Sequence, residues 1–278
     1  MKQWSDPSPY IASRQFLGRR STQQDRFSAG PFASERNEDG ILVVMADGHA
    51  HEGDAAADRT VTRIREGILE ACDRGRDALA QTFLGAHDLV LRNEIRGGTT
   101  ATCVTVHADK LVAAWVGNTE ARIVTAGGDL RTLSIPHEYG VHRGETARLD
   151  ALGARIGGFA ELGENGRPRR GHVVIDGERG ETWLECTRVI GDPEFDAYVL
   201  HEPEIVEREP APEDRWLIVA TDGLWHAAKR THKRHLIGRT IAASLTAEEA
   251  AAKLERLVNA WRPADNVTYV IVDLVCLG

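Results

Sequence analysis

The chain has 278 residues, 42% of them hydrophobic, and its 34 Lys and Arg against 42 Asp and Glu give a formal charge of -8. This acidic balance argues against a nucleic-acid-binding protein, which needs a basic face for the phosphate backbone. No apolar run reaches about 18 residues and no secretion signal is recognisable, so we expect a cytoplasmic protein with no membrane partner. The four cysteines are far apart without CxxC spacing, so neither a zinc knuckle nor a redox pair is indicated.

Apolar segments of strand length recur along the chain. Strands are predicted at 41–46, 100–107, 110–117, 121–126, 215–221 and 267–275. Turn-like tetrapeptides between several of them favour antiparallel hairpins. Residues 53–73 and 246–261 show helical periodicity, and the second range opens with a Thr-x-x-Glu capping box. Consecutive strands with scattered helices indicate a layered α+β domain rather than a βαβ nucleotide-binding fold.

The segment from about 136 to 200 is rich in Gly, Arg, Glu and Pro, with GGFAELGENGRPRRG at its centre. It is predicted to be an irregular excursion from the domain. A long loop inside a compact domain is more often functional than neutral. The excursion is therefore a candidate functional segment.

Three aspartates flank predicted strands. Asp47 and Asp222 each follow an apolar run, and Asp265 precedes the last one. Each alone is consistent with a common Asp-Gly turn or a cap. Together they suggest carboxylates on one rim of a sheet, where a pair about 4 Å apart repels by about 4 kcal/mol at an effective dielectric of about 20. Such a cluster needs a cation, and oxygen ligands with a carbonyl such as that of Gly48 suit magnesium or manganese better than zinc.

The order and spacing of these motifs also carry a family resemblance. The segments RRSTQQDRF, VVMADGHAHEGDAAA, TRVIGD, LIVATDGLWHA and ADNVTYVIV resemble the metal-dependent protein serine/threonine phosphatases, the protein phosphatase 2C or PPM family. The resemblance implies a four-layer α-β-β-α sandwich, with two antiparallel sheets flanked by helices. It also implies a single domain over residues 1–278, in which the excursion at 136–200 is a variable flap near the active site.

The resemblance assigns a metal centre to the flanking aspartates. It implies that Asp47 bridges two magnesium or manganese ions, that the Gly48 carbonyl binds one of them, and that Asp222 and Asp265 bind the other. In this family the two ions activate a water for in-line attack on phosphorus.

Two further residues match catalytic positions. Arg20 corresponds to the phosphate-binding arginine, with Arg19 as the second choice, because a guanidinium can hold two phosphate oxygens at once. A solvated Arg-Arg pair is the alternative interpretation. His49 corresponds to the histidine proposed to protonate the leaving oxygen, with His51 as a second candidate that is more simply a surface residue.

The sequence departs from the family pattern at several positions. Gln24 replaces a glutamate and can orient a metal-bound water without adding charge, so Asp25 is the better anchor beside the metal ligands. Asn118 replaces an aspartate that helps to hold a third, weaker metal ion, so that site is expected to be weak or absent. His226 replaces a second aspartate whose role is mediated by water. Histidines in HADK, HKRHL and VHRGE, including His142, are predicted to lie at the surface.

Three functions are compatible with these residues. The first is a phosphatase acting on phosphoserine and phosphothreonine of proteins, as a monomer, with substrates supplied by a partner kinase. The second is a pseudophosphatase that binds phosphoproteins without turnover, which Gln24, Asn118 and His226 support. The third keeps the chemistry but acts on a phosphorylated small molecule.

Overall fold

Two β-sheets stack face to face, and helices cover the outer side of each. The computed structural model describes residues 4–5, 8–33, 39–71, 75–158, 171–177 and 180–277. The strands are β1 (Trp4–Ser5), β2 (Ile11–Phe16), β3 (Asp25–Ala33), β4 (Asp39–His49), β5 (Gly98–Thr99), β6 (Ala101–Val106), β7 (Leu111–Val116), β8 (Glu120–Thr125), β9 (Leu130–Thr132), β10 (Ile156–Gly157), β11 (His172–Gly177), β12 (Gly180–Leu184), β13 (Ile190–Gly191), β14 (Glu204–Arg208), β15 (Asp214–Ala220) and β16 (Val267–Asp273). The α-helices are α1 (Gly53–Ala71), α2 (Gly75–Arg92), α3 (Arg143–Ala151), α4 (Asp222–Arg230), α5 (Arg234–Ala242) and α6 (Ala247–Trp261).

The first sheet has the strand order β1-β3-β4-β6-β7-β14, with β5 paired to the end of β4 and β13 paired to β5. Its pairs are antiparallel except that β1 runs parallel to β3. The second sheet has the order β2-β16-β15-β8-β9 and is antiparallel throughout. The predicted α+β, four-layer α-β-β-α sandwich is therefore confirmed.

Three apolar clusters hold the four layers together. The central cluster lies between the sheets and includes Met45, Trp115 and Leu217. A second cluster joins α1 and α2 to the first sheet, with Ile64 and Phe83 fully buried. A third cluster joins α4, α5 and α6 to the second sheet. Fully burying one such side chain contributes about 1.5–3 kcal/mol, so the layers are stabilised mainly by this packing.

Strand β4 explains why the run before Asp47 is continuously apolar. Val43 and Met45 face the core between the sheets, whereas Leu42 and Val44 face the helices α1 and α2. Polar side chains at alternate positions would be buried without partners on one of these two covered faces. A continuous apolar run is the pattern typical of a strand that is buried on both sides.

The six predicted strands are confirmed as β4, β6, β7, β8, β15 and β16, although the last ends at Asp273 and a 3-10 helix follows at Leu274–Leu277. The capping box is also confirmed, because the Thr246 hydroxyl accepts a hydrogen bond from Glu249 N. The helix predicted at 53–73 is α1, and its final positions from 72 onward lie outside the described residues. Helices α2, α4 and α5 were not predicted.

The prediction of an irregular excursion at 136–200 is wrong for the part that the structure describes. This part contains α3 and a separate antiparallel sheet of β10, β11 and β12. These elements pack around a small apolar cluster of their own that includes Leu149, Val173 and Phe195. Much of the central GGFAELGENGRPRRG segment, 159–170, lies outside the described residues.

Among the residues that the structure describes, no helix has both the length and the apolar character needed to cross a bilayer.

Candidate active site

Four aspartates from distant parts of the chain meet at one edge of the sandwich. Asp25 in β3 and Asp47 in β4 are direct cross-strand partners. Asp222 begins α4 immediately after β15, and Asp265 precedes β16, the antiparallel neighbour of β15. All but Asp25 line one pocket of about 360 Å³, and Asp25 is fully buried. The structure thus brings the predicted carboxylates together from both sheets.

Asp25 joins the two sheets, but only one of its carboxylate oxygens has a hydrogen-bond partner. Its Oδ2 accepts hydrogen bonds from the hydroxyls of Thr221, at 3.1 Å, and Thr268, at 2.7 Å. Both threonines belong to the end of the second sheet. The buried Oδ1 has no hydrogen-bond partner. An unsatisfied buried carboxylate oxygen is costly, and each such atom requires an explanation such as an ion or a water.

Burial raises the pKa values of these carboxyl groups. It raises the pKa of Asp47 well above its usual range, and the charges of Asp25, Asp222 and Asp265 raise it further. Burial also raises the pKa of Asp222 to about 7, although nearby His226 opposes the shift. The pKa of Asp25 is raised by burial to about 6, against the effect of its two threonine partners. Without a cation, the site therefore resists ionisation of its own acids.

The donor set fits a hard divalent cation. Its ligand atoms are carboxylate oxygens, and Gly48, whose carbonyl could join them, also lines the pocket. Cys186 lines the same pocket, but burial raises the pKa of its thiol well above the usual range. A single thiol among carboxylates is not the set of several thiolate or imidazole ligands that zinc and copper sites prefer. The buried, unpartnered oxygen of Asp25 is consistent with a cation or its water shell in this place.

The contribution of Asp222 and Asp25 to the stability of the metal-free protein is expected to fall as the pH rises from about 4 to about 7. In this range the folded protein keeps protons on these two groups that the unfolded chain has already released, so raising the pH favours unfolding. His137, whose pKa burial lowers to about 4, contributes in the opposite direction over the same range. The effect is therefore measured as the difference in melting temperature between the wild type and Asp222→Asn in the presence of a chelator. The wild type should lose stability relative to the variant as the pH rises, and a difference that does not change with pH would contradict the assignment.

The three other predicted site residues lie around the same pocket. Arg20 Nη2 donates to Asp265 Oδ2 at 2.6 Å, and its side chain is 57% exposed. His49 Nε2 lies 2.5 Å from Asp192 Oδ2. The Gln24 amide nitrogen donates to the backbone carbonyl that follows His49, at 3.0 Å. All three predicted residues line the pocket, so a guanidinium and an imidazole lie at the same pocket as the carboxylates.

The residues considered as second choices lie elsewhere. Arg19 is exposed and does not line this pocket in the described part of the chain. His51 is also exposed and lines a different pocket, as a surface histidine would. The structure therefore favours Arg20 and His49 by position.

The excursion also contributes to the lining of the pocket. Residues 183–186, at the end of β12 and just after it, line the same pocket as the aspartates. Trp183 remains 45% exposed there. The excursion thus reaches the site.

Comparisons with known proteins agree with this geometry. A family model described as "Protein phosphatase 2C" matches residues 11–267. The chain belongs to the protein phosphatase 2C family. "Probable protein phosphatase 2C 28" of Arabidopsis thaliana is 27% identical over 240 residues, which are 84% of this chain and 64% of that protein. "Protein phosphatase 2C 37" of the same plant is 25% identical over 305 residues, 96% of this chain and 72% of that protein.

A solved structure, the serine-threonine phosphatase 2C from Toxoplasma gondii, shares the fold with a TM-score of 0.71 and 17% sequence identity. The match covers 96% of both chains. Because this chain spans less than two thirds of the Arabidopsis phosphatase 2C 28, the family and the fold are what these similarities establish.

One departure from the protein phosphatase 2C pattern changes the hydrogen bonds beside the aspartates. Asn118 Nδ2 donates to Asp222 Oδ2 at 3.2 Å and to Glu138 Oε1 at 3.3 Å. An amide in this place donates a hydrogen bond to each of two carboxylates, where an ionised aspartate would repel them. Ligand atoms of Glu138, Glu185 and His226 lie within 4.8 Å of one another close by. Further possible metal ligands therefore lie beside Asp222, and no ion is assigned to them.

A second group of possible ligands, His137, His142 and Glu204, is better described as a hydrogen-bond network than as a metal site. Nδ1 of each histidine accepts a backbone N–H, from Gly117 and from Glu145. The proton of each neutral ring is therefore on Nε2, and both Nε2 atoms donate to Glu204 Oε2, at 3.2 and 2.8 Å. No imidazole lone pair is left for a metal.

The pKa values of both Glu204 and His137 are lowered in this network, for different reasons. The hydrogen bond from His137 lowers the pKa of Glu204 to about 2, and burial lowers that of His137 to about 4. The prediction that His142 is a surface residue is wrong, because its side chain is only 15% exposed and also caps α3. A histidine within a charged sequence gave no indication of its partner Glu204, which lies 62 positions away in the chain.

Sequence reasoning missed residues that support the protein phosphatase 2C site. Asp192 is the last residue of the segment TRVIGD, which resembles the family, but the sequence did not indicate its contact with His49. Asn266 was quoted in ADN, and its side chain binds the backbone of the loop that carries Arg20, with contacts to Leu17 O and Thr22 O. Its Oδ1 also accepts from Gln24 N at 2.9 Å. Both residues thus lie within segments that carry the family resemblance, although neither was predicted as a site residue.

Proposed function

We propose that this chain is a divalent-metal-dependent phosphatase that hydrolyses phosphoserine and phosphothreonine esters in proteins. The observation that carries the proposal is the convergence of Asp47, Asp222 and Asp265 on one pocket that also contains Arg20 and His49. Carboxylates that resist ionisation there require positive charge, and a guanidinium beside them suits a phosphate. The family membership supports the same reaction.

The carboxylates would hold two magnesium or manganese ions. Asp47 would bridge them, the Gly48 carbonyl would bind one, and Asp222 and Asp265 would bind the other. Asp25 and Gln24 would support this centre from beside it, Asp25 through its unpartnered oxygen. When bound, such ions supply positive charge and lower the pKa of a water toward neutrality.

The remaining residues would bind and protonate the substrate. Arg20 is held in the pocket by Asp265, and its exposed guanidinium can offer the rest of its planar fork to two phosphate oxygens. His49 would donate a proton to the seryl or threonyl oxygen as that oxygen leaves, because an alkoxide is a poor leaving group. Residues 183–186, which line the same pocket, would contact the rest of the substrate.

The test is hydrolysis of a phosphothreonine peptide and of para-nitrophenyl phosphate with added Mn²⁺, comparing the wild type with Asp222→Asn. The wild type should release phosphate from both substrates. The rate of the variant should be at least about 100-fold lower, because bound metal contributes several kcal/mol to such reactions. No metal-stimulated release above the variant would contradict the proposal. Calorimetric binding of an intact phosphopeptide without release would instead support a pseudophosphatase. Turnover of phosphorylated small molecules but not of peptides would support a phosphatase that acts on small molecules.

Asn118→Asp is expected to restore an additional, weaker metal site. The change removes two hydrogen bonds and places a carboxylate beside Asp222 and Glu138. Calorimetry should then detect a further weak Mn²⁺ equivalent, and the metal-free variant should melt at a lower temperature because like charges are added. Asn118→Ala is the control, since it removes the same bonds without adding charge. Equal Mn²⁺ binding by the two variants would count against this explanation of the departure.

The proposal also includes a cytoplasmic location, a monomeric state and a partner kinase that supplies the phosphoprotein. These three elements rest on the sequence alone.

A further inference from the structure

We infer that Asp192 is a positioning residue for His49: it holds the imidazole by Nε2 and leaves Nδ1 to face the substrate. The inference rests on the proposed function, since it concerns how the leaving oxygen is protonated. His49 Nε2 and Asp192 Oδ2 are 2.5 Å apart. Asp192 is 5% exposed in its side chain, whereas His49 is 30% exposed and lines the pocket. One end of the pair is thus buried and the other faces the site.

The backbone around Asp192 is built to make this contact. Strand β13 pairs with β5, and β5 pairs with the end of β4, so that Gly98 lies between Gly191 on one side and His49 on the other. Strands β13 and β5 have two residues each, and they connect the excursion directly to the site. The first residue after β13 is Asp192, which adopts a left-handed conformation with φ of 53°. Such a conformation is uncommon for a residue other than glycine, and it occurs where the surrounding structure enforces it.

Glycine at position 98 leaves the space that the carboxylate occupies. A Cβ added to Gly98 would lie 2.1 Å from Asp192 Oδ2, the oxygen that contacts His49. Any side chain there would displace the carboxylate from the imidazole. Position 98 in β5 therefore has to be glycine for the contact between Asp192 and His49 to form.

Asp192 does not act as a helix cap, although an aspartate at the start of a helix commonly does. Asp192 precedes the 3-10 helix Pro193–Phe195 at the N-cap position, yet its side chain makes no capping hydrogen bond. Its carboxylate is directed to His49 instead. In the described part of the chain, Nδ1 of His49 has no hydrogen-bond partner, so this nitrogen remains for the substrate.

In the hydrolysis of a phosphoserine, a water oxygen forms the new bond to phosphorus and releases one of its protons to solvent. The bond from phosphorus to the seryl oxygen breaks. The seryl oxygen keeps the electron pair of that bond and takes the proton from His49 Nδ1. The imidazole is left neutral, with its remaining proton on Nε2 and still shared with Asp192. The aspartate thus fixes which nitrogen donates and in which direction.

The test uses two substrates that differ in their need for an acid. The seryl oxygen of a phosphoserine peptide needs protonation, whereas the nitrophenolate of para-nitrophenyl phosphate leaves readily without it. Asp192→Asn should lower kcat for the peptide by about 10- to 100-fold and change kcat for the nitrophenyl ester by less than about 3-fold. The retained ester activity also shows that the variant folds and that the metal centre works. If the wild type hydrolyses neither substrate, the proposed function itself fails.

Two further variants separate positioning from general damage. The double variant His49→Gln/Asp192→Asn should be no slower on the peptide than His49→Gln alone, because Asp192 acts through His49. Gly98→Ala should also lower the rate on the peptide, because its Cβ would lie 2.1 Å from Asp192 Oδ2 and 2.7 Å from the backbone oxygen of Ile190 and would displace the segment that carries Asp192. Asp196→Asn is the matched control, an exposed aspartate of the same segment bound to His201, and it should leave both rates unchanged. An equal loss on both substrates, no loss on the peptide, or additive effects in the double variant would overturn the inference.

Discussion

Asp47→Asn is expected to abolish metal-stimulated phosphatase activity and, at the same time, to make the metal-free protein more stable. Asp47 is the cross-strand partner of Asp25, and like charges at directly opposite positions are destabilising. Removing one charge should stabilise the metal-free protein at pH 8 by about 1 kcal/mol or more, given the repulsion expected for close carboxylates. Activity should fall at least about 100-fold, because the proposed metal centre would lose the ligand that is expected to bridge its two ions. Chemical denaturation in chelator and phosphate release with Mn²⁺ measure the two effects.

The matched control is Asp88→Asn, which makes the same chemical change in an aspartate exposed on α2 and weakly paired with Arg92. Its effect on stability should be within about 0.5 kcal/mol, and its activity should be unchanged. If Asp47→Asn is less stable than the wild type in chelator, the Asp47 carboxylate stabilises the metal-free fold and is not destabilised by repulsion from the neighbouring aspartates.

Gly48→Ala is expected to destabilise the fold and remove activity, although it changes no ligand side chain. A Cβ at this position would lie 2.0 Å from the backbone oxygen of Gly53, at the start of α1. Backbone atoms cannot rotate away as a side chain can, so β4 and α1 must separate. The cost should be at least about 2 kcal/mol, as for overpacking of a rigid site. The movement would also shift Asp47 and the carbonyl assigned to the metal.

Urea denaturation and Mn²⁺-dependent phosphate release measure these effects. Gly127→Ala is the control, because the nearest atom to its added Cβ is 3.7 Å away in an exposed turn. That variant should remain within about 0.5 kcal/mol of the wild type. A Gly48→Ala protein with unchanged stability and activity would show that the close approach of β4 to α1 is not required.

The strands and the carboxylate cluster were predictable because each has a local signal. A strand buried on both faces must be continuously apolar, as β4 is, and Asp-Gly at the end of such a run is visible in the sequence. Helix α2 also carried a signal that was missed, since Leu79, Phe83, Ala86 and Val90 follow helical spacing and pack on the first sheet. Helix α2 could therefore have been predicted from the sequence.

Other features depend on contacts that no local pattern encodes. The partnership of His49 with Asp192 is made by strands of two residues across 143 positions of chain. The network of His142 with Glu204 likewise joins residues that are 62 positions apart. The family resemblance indicated which residues belong to the site, but the supporting residues became visible only when the sheets brought them together.

Calorimetric titration of Mn²⁺ into the metal-free protein tests the central claim most directly, namely that the aspartates at this edge of the sandwich hold divalent cations. We expect saturable binding of two ions by the wild type and loss of that binding in Asp47→Asn, while Asp88→Asn binds as the wild type does. Failure of the wild type to bind Mn²⁺, or equal binding by Asp47→Asn, would contradict the account.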